Sequence, residues 1–183
     1  STGVDQANLH VHHVSIGGDF GGKGGQMNIP IAYFLARAAR QPVRMVMDYQ
    51  EELSAANPRH PTQISVKTGA KRDGTIVACE IDALYDTGAY ADHGPTLPPG
   101  GALYASGRYW VPNVTAEAHT VYTNKPISGA FRGYGAPQSI FAGESQMDII
   151  ARELGIDPID LRRLNGMDHG DSLVNGQKLN EVW

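Results

Sequence analysis

Two glycine-rich segments of this chain share the same spacing, and each is followed by a helical pattern. The pattern is I-x-G-x-F-x-G-x-G, and it begins at Ile16 and again, 111 residues later, at Ile127. Glycine accounts for 22 of the 183 residues, above the usual share of about 7%. A repeated local pattern predicts two related units, each with a strand before the loop and a buried helix after it. Coincidence in a glycine-rich chain is the alternative.

The first unit is predicted to pass from a strand through its loop into a helix. Residues 10–16 have the composition of a strand, and residues 17–25 are the loop. Apolar side chains at helical spacing predict a buried helix from Gln26 to Arg40, because Pro30 is tolerated in a first turn. Residues 43–47 then predict a short strand.

The second unit begins with a hairpin. A strand from Ile64 turns at residues 72–74, where Asp-Gly favours a hairpin, into a strand over 75–85. Residues 86–101 contain four glycines and three prolines and predict a long loop, and residues 114–122 predict another strand.

The loop at 128–137 is predicted to lead into a helix over 138–154, with Gly155 as its C-cap. Asp157-Pro158 then predicts the start of a short helix. These elements predict an α+β fold of two related strand-loop-helix units, with mixed β-sheets packed on helices. The units are residues 1–57 and residues 58–183, within one domain.

Composition excludes several classes of function. Fifteen basic and nineteen acidic side chains give a net charge of −4, so we expect no nucleic acid partner. No apolar run approaches the roughly 20 residues of a membrane span. The single cysteine, Cys79, excludes an iron-sulfur cluster held by this chain alone and is predicted to be packed in a strand. His10, His12 and His13 lie on both faces of their predicted strand, so no metal ligands are assigned.

The loops have properties that suit an anion. Glycines let a ligand approach backbone N–H groups, and a following helix start adds unpaired donors. Arg132 in the second loop suits a bidentate contact with phosphate. Simple tight turns and a surface arginine are the alternatives. Residues 17–23 match the start of a P-loop, but Gly24 replaces the Ser or Thr that binds magnesium, which weakens a nucleotide-binding interpretation.

Two segments resemble a known family. Gly-Gly-Asp-Phe-Gly-Gly-Lys at 17–23 and Gly-Ala-Phe-Arg-Gly-Tyr-Gly-Ala-Pro-Gln at 129–138 are similar to the two cofactor loops of the molybdenum-binding subunit of the xanthine dehydrogenase and aldehyde oxidase family. Residues 109–113 and 147–158 extend the resemblance over nearly the whole chain.

The resemblance implies an oxidoreductase that hydroxylates an aldehyde or an N-heterocycle with water as the oxygen source. The cofactor would be molybdenum-molybdopterin, with the cytosine dinucleotide form as one variant. Partner subunits or domains would carry 2Fe-2S clusters and FAD in a larger hetero-oligomer, in the cytoplasm or alternatively the periplasm. A non-catalytic module that binds an anion or cofactor is the alternative.

The resemblance also implies roles for individual residues. Phe20 and Gly21 would offer backbone donors to the cofactor, Arg132 would lie against it, and Tyr134 would place its ring against the substrate. The full set of expected cofactor-binding residues is Gly18, Phe20, Gly21, Gly22, Ala130, Phe131, Arg132 and Gly133.

Departures from the family pattern narrow the function. Gly24 stands where purine-oxidising relatives have a glutamate, and their substrate arginine is replaced by glycine or alanine around Gly101, which disfavours purines. The second loop lacks the cysteine of carbon monoxide dehydrogenases. The family's general base is a glutamate in a Gly-Glu motif near the end of the full subunit, and no such terminal motif follows Arg132. Glu144 follows Gly143, but it lies on the predicted helix of the second unit and is not assigned that role. We therefore assign no catalytic residue and expect a piece of the subunit or a split subunit.

Overall fold

A computed structural model describes residues 3–12, 14–23, 28–104 and 106–180. Three strands form one mixed sheet in the order β1-β2-β3, with β1 antiparallel and β3 parallel to β2. The strands are β1 (Thr62–Ala70), β2 (Ile76–Gly88) and β3 (Val114–Tyr122). The helices are α1 (Ile29–Ala39), α2 (Tyr49–Ala55), α3 (Leu97–Leu103), α4 (Ala136–Leu154) and α5 (Pro158–Asn165), after a 3-10 turn at Gln6–Asn8. This arrangement confirms the predicted α+β class.

The β1-β2 hairpin turns where the sequence predicts. Gly74 has φ of 91°, a conformation that favours glycine, and the Lys71 amide donates to the Thr75 carbonyl at 2.9 Å. The Asp73 carboxylate accepts a hydrogen bond from the Thr75 amide at 2.9 Å. The strand predicted over 114–122 is β3, which is also confirmed.

One face of the sheet is covered by helices. Every second side chain from Cys79 to Thr87 on β2 is buried, as expected for a strand with one covered face. The main core cluster joins β2 to the two last helices through Ile76, Tyr109, Met147, Ile150, Ala151 and Leu161. Cys79 is buried and free, as predicted, and burial raises the pKa of its thiol.

The caps of the last two helices are those that the sequence predicts. Gly155 ends α4 in the left-handed conformation, with φ of 67°, and its amide donates to the carbonyls of Ala151 and Arg152. The Asp157 carboxylate accepts from the Ile159 and Asp160 amides and caps α5. These two caps connect α4 to α5 through a tight corner, which lets both helices reach the same core.

The chain before β1 differs most from its prediction. Neither residues 10–16 nor residues 43–47 form a strand where the structure describes them; His13 lies outside the described residues. A strand needs a neighbour for its backbone hydrogen bonds, and no described strand pairs with either segment. The helix predicted from Gln26 is α1, with residues 24–27 outside the description, but none of its residues is buried. The prediction of a buried helix is therefore wrong.

Two short helices lie in segments where the sequence analysis places none. α2 begins with a capping box in which the Asp48 carboxylate accepts from the Glu51 amide while the Glu51 carboxylate accepts from the Asp48 amide. α3 overlaps the end of the predicted loop 86–101 and has Pro98 in its first turn, where a missing amide hydrogen has no cost. The D-x-x-E spacing at 48–51 was a readable signal.

Candidate functional site

The two glycine loops meet in the folded chain. We call residues 17–23 the first loop and residues 128–137 the second loop. Gly21 faces the backbone of Ala130 so closely that an added Cβ atom would lie 2.5 Å from the Ala130 carbonyl oxygen. The Arg132 guanidinium lies 5.3 Å from the centre of the Phe20 ring, within cation–π range. The two loops therefore converge, and their contact brings the expected cofactor-binding residues together.

The first loop is held mainly by one carboxylate. Asp19 accepts hydrogen bonds from the amides of Gly21 at 3.0 Å and Lys23 at 2.7 Å, and its carbonyl accepts from the Gly22 amide at 2.9 Å. The Lys23 ammonium folds back onto the Ile16 carbonyl. The Gly21 amide is therefore already paired with Asp19. Phe20 and Gly21 were both expected to donate backbone hydrogen bonds to the cofactor, and only the Phe20 amide has no acceptor among the described residues.

The second loop is anchored in the fold. The amide of buried Ser128 donates to the Thr87 carbonyl at 3.1 Å, and the Gly129 amide donates to the Pro58 carbonyl at 3.0 Å. An added Cβ atom on Gly135 would lie 3.1 Å from both the Gly101 nitrogen and the Leu97 carbonyl, so the loop backbone packs closely on α3. The second loop is thus fixed by β2, by the segment before β1 and by α3.

The backbone conformations of the two loops do not repeat along with their glycine spacing. In the first loop, positive φ angles occur at Gly17, Phe20 and Gly21. In the second loop they occur at 133–135, none of which corresponds to those positions under the 111-residue offset. The shared spacing therefore supports two different loop shapes.

Arg59 connects the second loop to the segment before β1, and the sequence analysis did not identify it. Its guanidinium donates to the Arg132 carbonyl at 2.7 Å and to the Gln138 side chain at 3.4 Å. It also lies 4.5 Å from the centre of the Phe131 ring. Residues 58–61 are Pro-Arg-His-Pro, which indicates only a break in the chain, and nothing in that pattern signals the contact.

Two polar residues near Arg59, half-buried Asn57 and buried His60, have side-chain atoms without hydrogen-bond partners among the described residues. Asn57 donates to the Gly21 carbonyl at 3.2 Å and so supports the first loop, while its side-chain oxygen has no hydrogen-bond partner in the described part of the chain. His60 is 2% exposed, and neither of its ring nitrogens has a partner there either. Burial lowers the pKa of His60, partly offset by attraction from Asp92.

Free donors line the place where the loops meet. The amides of residues 130–133 have no acceptor among the residues that the structure describes. The Arg132 guanidinium forms no ion pair with any of those described residues. Arg132 is exposed and therefore accessible to a ligand. A run of free N–H groups beside a guanidinium is a donor set for phosphate or oxo groups, so the residues present fit a large anionic cofactor.

Gly18 and Gly22 differ in how strictly their positions require glycine. An added Cβ atom on Gly18 would lie 2.4 Å from the Phe20 ring, so glycine lets that ring fold over its own loop. Gly22 has ordinary space around it, with the Asp19 carbonyl 3.6 Å from an added Cβ atom. The first loop therefore requires glycine at position 18 more than at position 22.

Tyr134, the expected substrate contact, is half-buried on the α3 side of the second loop. Its hydroxyl hydrogen-bonds with His93 Nδ1 at 2.9 Å and with the Thr96 hydroxyl. The His93 and Tyr134 rings meet edge to face, with centroids 5.7 Å apart. His93 and Thr96 lie in the predicted loop 86–101, and the sequence analysis assigned them no role.

Two residues named in the comparison with the family pattern, Gly101 and Glu144, take part in the packing of the fold. An added Cβ atom on Gly101 would lie 2.0 Å from the Tyr85 hydroxyl oxygen, so in this chain the Tyr85 side chain occupies the space that a side chain at position 101 would need. Glu144 accepts hydrogen bonds from the Tyr109 hydroxyl at 2.7 Å and from Arg162 at 2.8 Å, and it acts within the α4–α5 packing. Gly24 lies outside the described residues.

Two other kinds of feature are absent from the described residues. No helix in the described ranges is long and apolar enough to cross a lipid bilayer. Among those same residues, no three His, Cys, Asp or Glu side chains are grouped so that they hold a metal ion.

The chain is similar to molybdenum enzymes over most of its length. It is 40% identical over 179 residues to the nicotinate dehydrogenase large molybdopterin subunit of Eubacterium barkeri, covering 96% of this chain and 41% of that protein. The solved aldehyde oxidoreductase from Desulfovibrio gigas superposes with a TM-score of 0.80 at 40% identity, covering 88% of this chain and 18% of that one. Quinoline 2-oxidoreductase from Pseudomonas putida 86 superposes with a TM-score of 0.76 at 31% identity, covering 90% and 22%.

These similarities confirm the resemblance to the xanthine dehydrogenase and aldehyde oxidase family. The chain spans less than half the length of each of these relatives. A family model described as the molybdopterin cofactor-binding domain matches residues 1–166, which contain both glycine loops. The chain therefore belongs to the molybdopterin cofactor-binding domain family.

Proposed function

We propose that this chain is part of a molybdenum hydroxylase that oxidises an aldehyde or an N-heterocycle with water as the oxygen donor. Its contribution is the pair of loops that hold molybdopterin. The contact of Gly21 with Ala130 carries this proposal, because it joins two loops 109 positions apart into one donor surface. The names of the similar proteins, which include a nicotinate dehydrogenase, an aldehyde oxidoreductase and a quinoline oxidoreductase, support an aldehyde or N-heterocycle as substrate.

In this proposal, the residues of the chain bind and orient the cofactor. Molybdopterin supplies a molybdenum centre capable of two-electron oxidation and of transferring a water-derived oxygen. The Phe20 amide and the amides of residues 130–133 donate to its acceptors, and the Arg132 guanidinium neutralises part of its negative charge. Gly18 and Gly22 shape the first loop, and the Tyr134 ring contacts the substrate. No residue of this chain serves as the general base.

The remaining components follow from the same proposal. Electrons would leave through 2Fe-2S and FAD partner subunits or domains in a larger hetero-oligomer, in the cytoplasm or alternatively the periplasm. The cytosine dinucleotide form is one variant of the pterin. We also propose residues 1–57 and 58–183 as the two units of one cofactor-binding domain. All three buried apolar clusters use residues of the second range, whereas α1 and α2 have no buried residue.

Nucleotide hydrolysis is a weaker candidate. In a P-loop the backbone amides bind phosphate, whereas here the Asp19 carboxylate occupies the amides of Gly21 and Lys23. The Lys23 ammonium is also engaged by the Ile16 carbonyl. Magnesium-dependent ATP binding that is lost on Lys23→Ala would favour this alternative over a molybdenum site.

The proposal is tested by analysing metal and pterin in the complete protein that carries this segment. We expect molybdenum and pterin in equal amounts and a lowered content of both in Arg132→Ala, since that guanidinium has no other charged partner among the described residues. Arg152→Ala, on the exposed end of α4, is the matched control and should retain full content. Absence of molybdenum and pterin from the unmodified protein would disprove the proposal and favour a non-catalytic binding module.

The role of Tyr134 is tested separately by kinetics. Tyr134→Ala should change the ratio of kcat/KM values between an N-heterocycle and an aldehyde by about tenfold, while the molybdenum content stays that of the unmodified enzyme. Identical substrate ratios in the variant would remove Tyr134 from the substrate site without affecting the assignment of the loops.

A further inference from the structure

The side chain of Tyr134 is held at its far end by two residues from outside the second loop. His93 Nδ1 lies 2.9 Å from the Tyr134 hydroxyl oxygen, and the Thr96 hydroxyl bonds to the same atom. Both residues belong to the short segment between β2 and α3. The edge-to-face contact of the His93 and Tyr134 rings, at an interplanar angle of 85°, adds a second constraint on the ring.

The backbone at Tyr134 is also constrained. Its φ of 44° lies in the left-handed region, which is unfavourable for a residue other than glycine. The Tyr134 carbonyl oxygen lies close to Gly100, where an added Cβ atom would be 2.8 Å away. Because such strain persists only where the surroundings fix it, the direction of this ring is determined from both ends.

The three polar contacts form a closed ring that needs three protons. They join His93 Nδ1 to the Tyr134 hydroxyl, the Tyr134 hydroxyl to the Thr96 hydroxyl, and the Thr96 hydroxyl to the His93 carbonyl, the last at 3.1 Å. Tyrosine and threonine each supply one proton. If His93 Nδ1 carries the third, every contact is satisfied: Nδ1–H donates to tyrosine, tyrosine to threonine and threonine to the carbonyl. A bare Nδ1 leaves one contact without a proton.

We propose that His93 and Thr96 are positioning residues that fix the Tyr134 ring for flat aromatic substrates. This inference rests on the proposed function, because it takes Tyr134 as a substrate contact. A ring held in one orientation offers a preorganised face or edge to an aromatic heterocycle, whereas an aliphatic aldehyde has no ring to stack. Loss of the ring's anchor therefore affects heterocycles more than aldehydes.

The experiment uses the complete enzyme and compares His93→Leu with His93→Asn. Leucine removes the donor, and we expect kcat/KM to fall about tenfold for quinoline and about twofold or less for butyraldehyde. Asparagine places an N–H group near the position of Nδ1 and should restore most of the quinoline activity. Thr96→Val tests the second contact without changing side-chain shape, and His119→Leu on β3 is the control for removing an exposed histidine.

Two further measurements separate positioning from a general structural effect. In the Tyr134→Phe background, which lacks the hydroxyl, His93→Leu should cause a clearly smaller loss of quinoline activity, because only the edge-to-face ring contact is left to remove. Amide hydrogen exchange of residues 128–137 should become faster in His93→Leu and return toward normal in His93→Asn.

Each result decides the inference. An unchanged substrate ratio in both His93→Leu and Thr96→Val overturns it, as does an equal loss for His93→Leu whether or not the enzyme also carries Tyr134→Phe. If the unmodified protein contains no molybdenum or pterin, the proposed function fails and the substrate part of the inference fails with it. Hydrogen exchange still tests the anchor in that case, and unchanged exchange overturns it.

Discussion

The first and second loops have the same glycine spacing but different support. The first loop is closed by its own Asp19 and by Asn57, and the helix that follows it has no buried residue. The second loop hydrogen-bonds to β2, lies against α3 and continues into α4, whose inner face belongs to the main core. Equal glycine spacing therefore does not give equal support, because the surrounding packing sets how firmly each loop is held.

The first loop rests on the second loop, whereas the second loop is supported by the core. Gly21 lies against Ala130, so the second loop provides a surface for the first. The core clusters do not include any residue of the first loop. Changes at the end of β2, which supports the second loop, should therefore reduce both the free energy of unfolding and cofactor binding. Changes to the first loop should reduce cofactor binding alone.

The largest effect is expected where the end of β2 supports the second loop. Gly88 has φ of 74°, and an added Cβ atom would lie 2.2 Å from the Pro126 carbonyl oxygen. Gly88→Ala should lower the free energy of unfolding by about 3 kcal/mol, because backbone must move to relieve the clash. The measurement is urea unfolding of the complete protein.

Gly155→Ala is the matched control for Gly88→Ala. Gly155 also has positive φ, at 67°, but an added Cβ atom would meet nothing within 4 Å. Gly155→Ala should lower the free energy of unfolding by only about 1–2 kcal/mol, which is the cost of the left-handed backbone conformation for a residue other than glycine. Equal losses in the two variants would show that backbone conformation, and not the contact with Pro126, explains the effect at Gly88.

A smaller effect on the free energy of unfolding is expected from the polar contacts of Asp86, near the end of β2. Burial raises the pKa of Asp86, but hydrogen bonds from Lys125, Thr123 and the Gly88 amide outweigh it and lower the pKa to about 2. The ionised carboxylate therefore stabilises the fold fully above pH 4, and this contribution disappears as the pH falls from 4 to 2. Asp86→Asn should lower the free energy of unfolding at pH 7 by about 2 kcal/mol.

The measurement for Asp86 is unfolding of both proteins across this pH range. The difference between unmodified protein and Asp86→Asn should narrow steadily below pH 4. Because the Lys125 side chain is 62% exposed, added salt should weaken part of the contribution. A difference that stays constant down to pH 2 would contradict the ionised-carboxylate explanation.

The smallest effect on stability, and the most specific effect on binding, is expected in the first loop. Gly21→Ala forces a Cβ atom onto the Ala130 carbonyl and should separate the loops. Cofactor affinity should fall about tenfold, or about 1.4 kcal/mol, measured as molybdenum retained during dialysis. Gly22→Ala, one position along the same loop, has space for its methyl group and should retain the metal.

The result in the first loop would also test the dependence between the loops. Both variants should unfold within about 1 kcal/mol of the unmodified protein. Neither position lies in the core, and the first loop can move away from the second to relieve the strain at Gly21, whose φ is 94°, without unfolding the core. If Gly21→Ala destabilised the fold as much as Gly88→Ala, the first loop would be part of the core support, and the contrast drawn between the two loops would be wrong.

Local signals predicted most elements of residues 58–183. The Asp-Gly turn, the strand over 114–122, the Gly155 cap and the start of α5 at Asp157-Pro158 all rest on interactions between residues near each other in sequence. In the first half, residues 10–16 and 43–47 have strand composition without a described strand partner. Composition records the preference of a segment, but pairing needs a neighbour that the segment itself does not specify.

The candidate site divides in the same way. The glycine spacing and Arg132 indicated the anion-binding loops, and the family resemblance indicated their cofactor. Arg59, His93 and Thr96 carried no signal, because each acts on a loop residue at least 38 positions away.

The sequence by itself determined the family, the α+β class and the identity of the two loops, since these depend on residue types at short spacing. Only the tertiary structure decided that the loops meet at Gly21 and Ala130, that their backbones differ, and that the Tyr134 ring is anchored from another segment. The physical reason is that hydrogen bonds and close contacts between distant segments depend on how the whole chain packs, which no local pattern encodes.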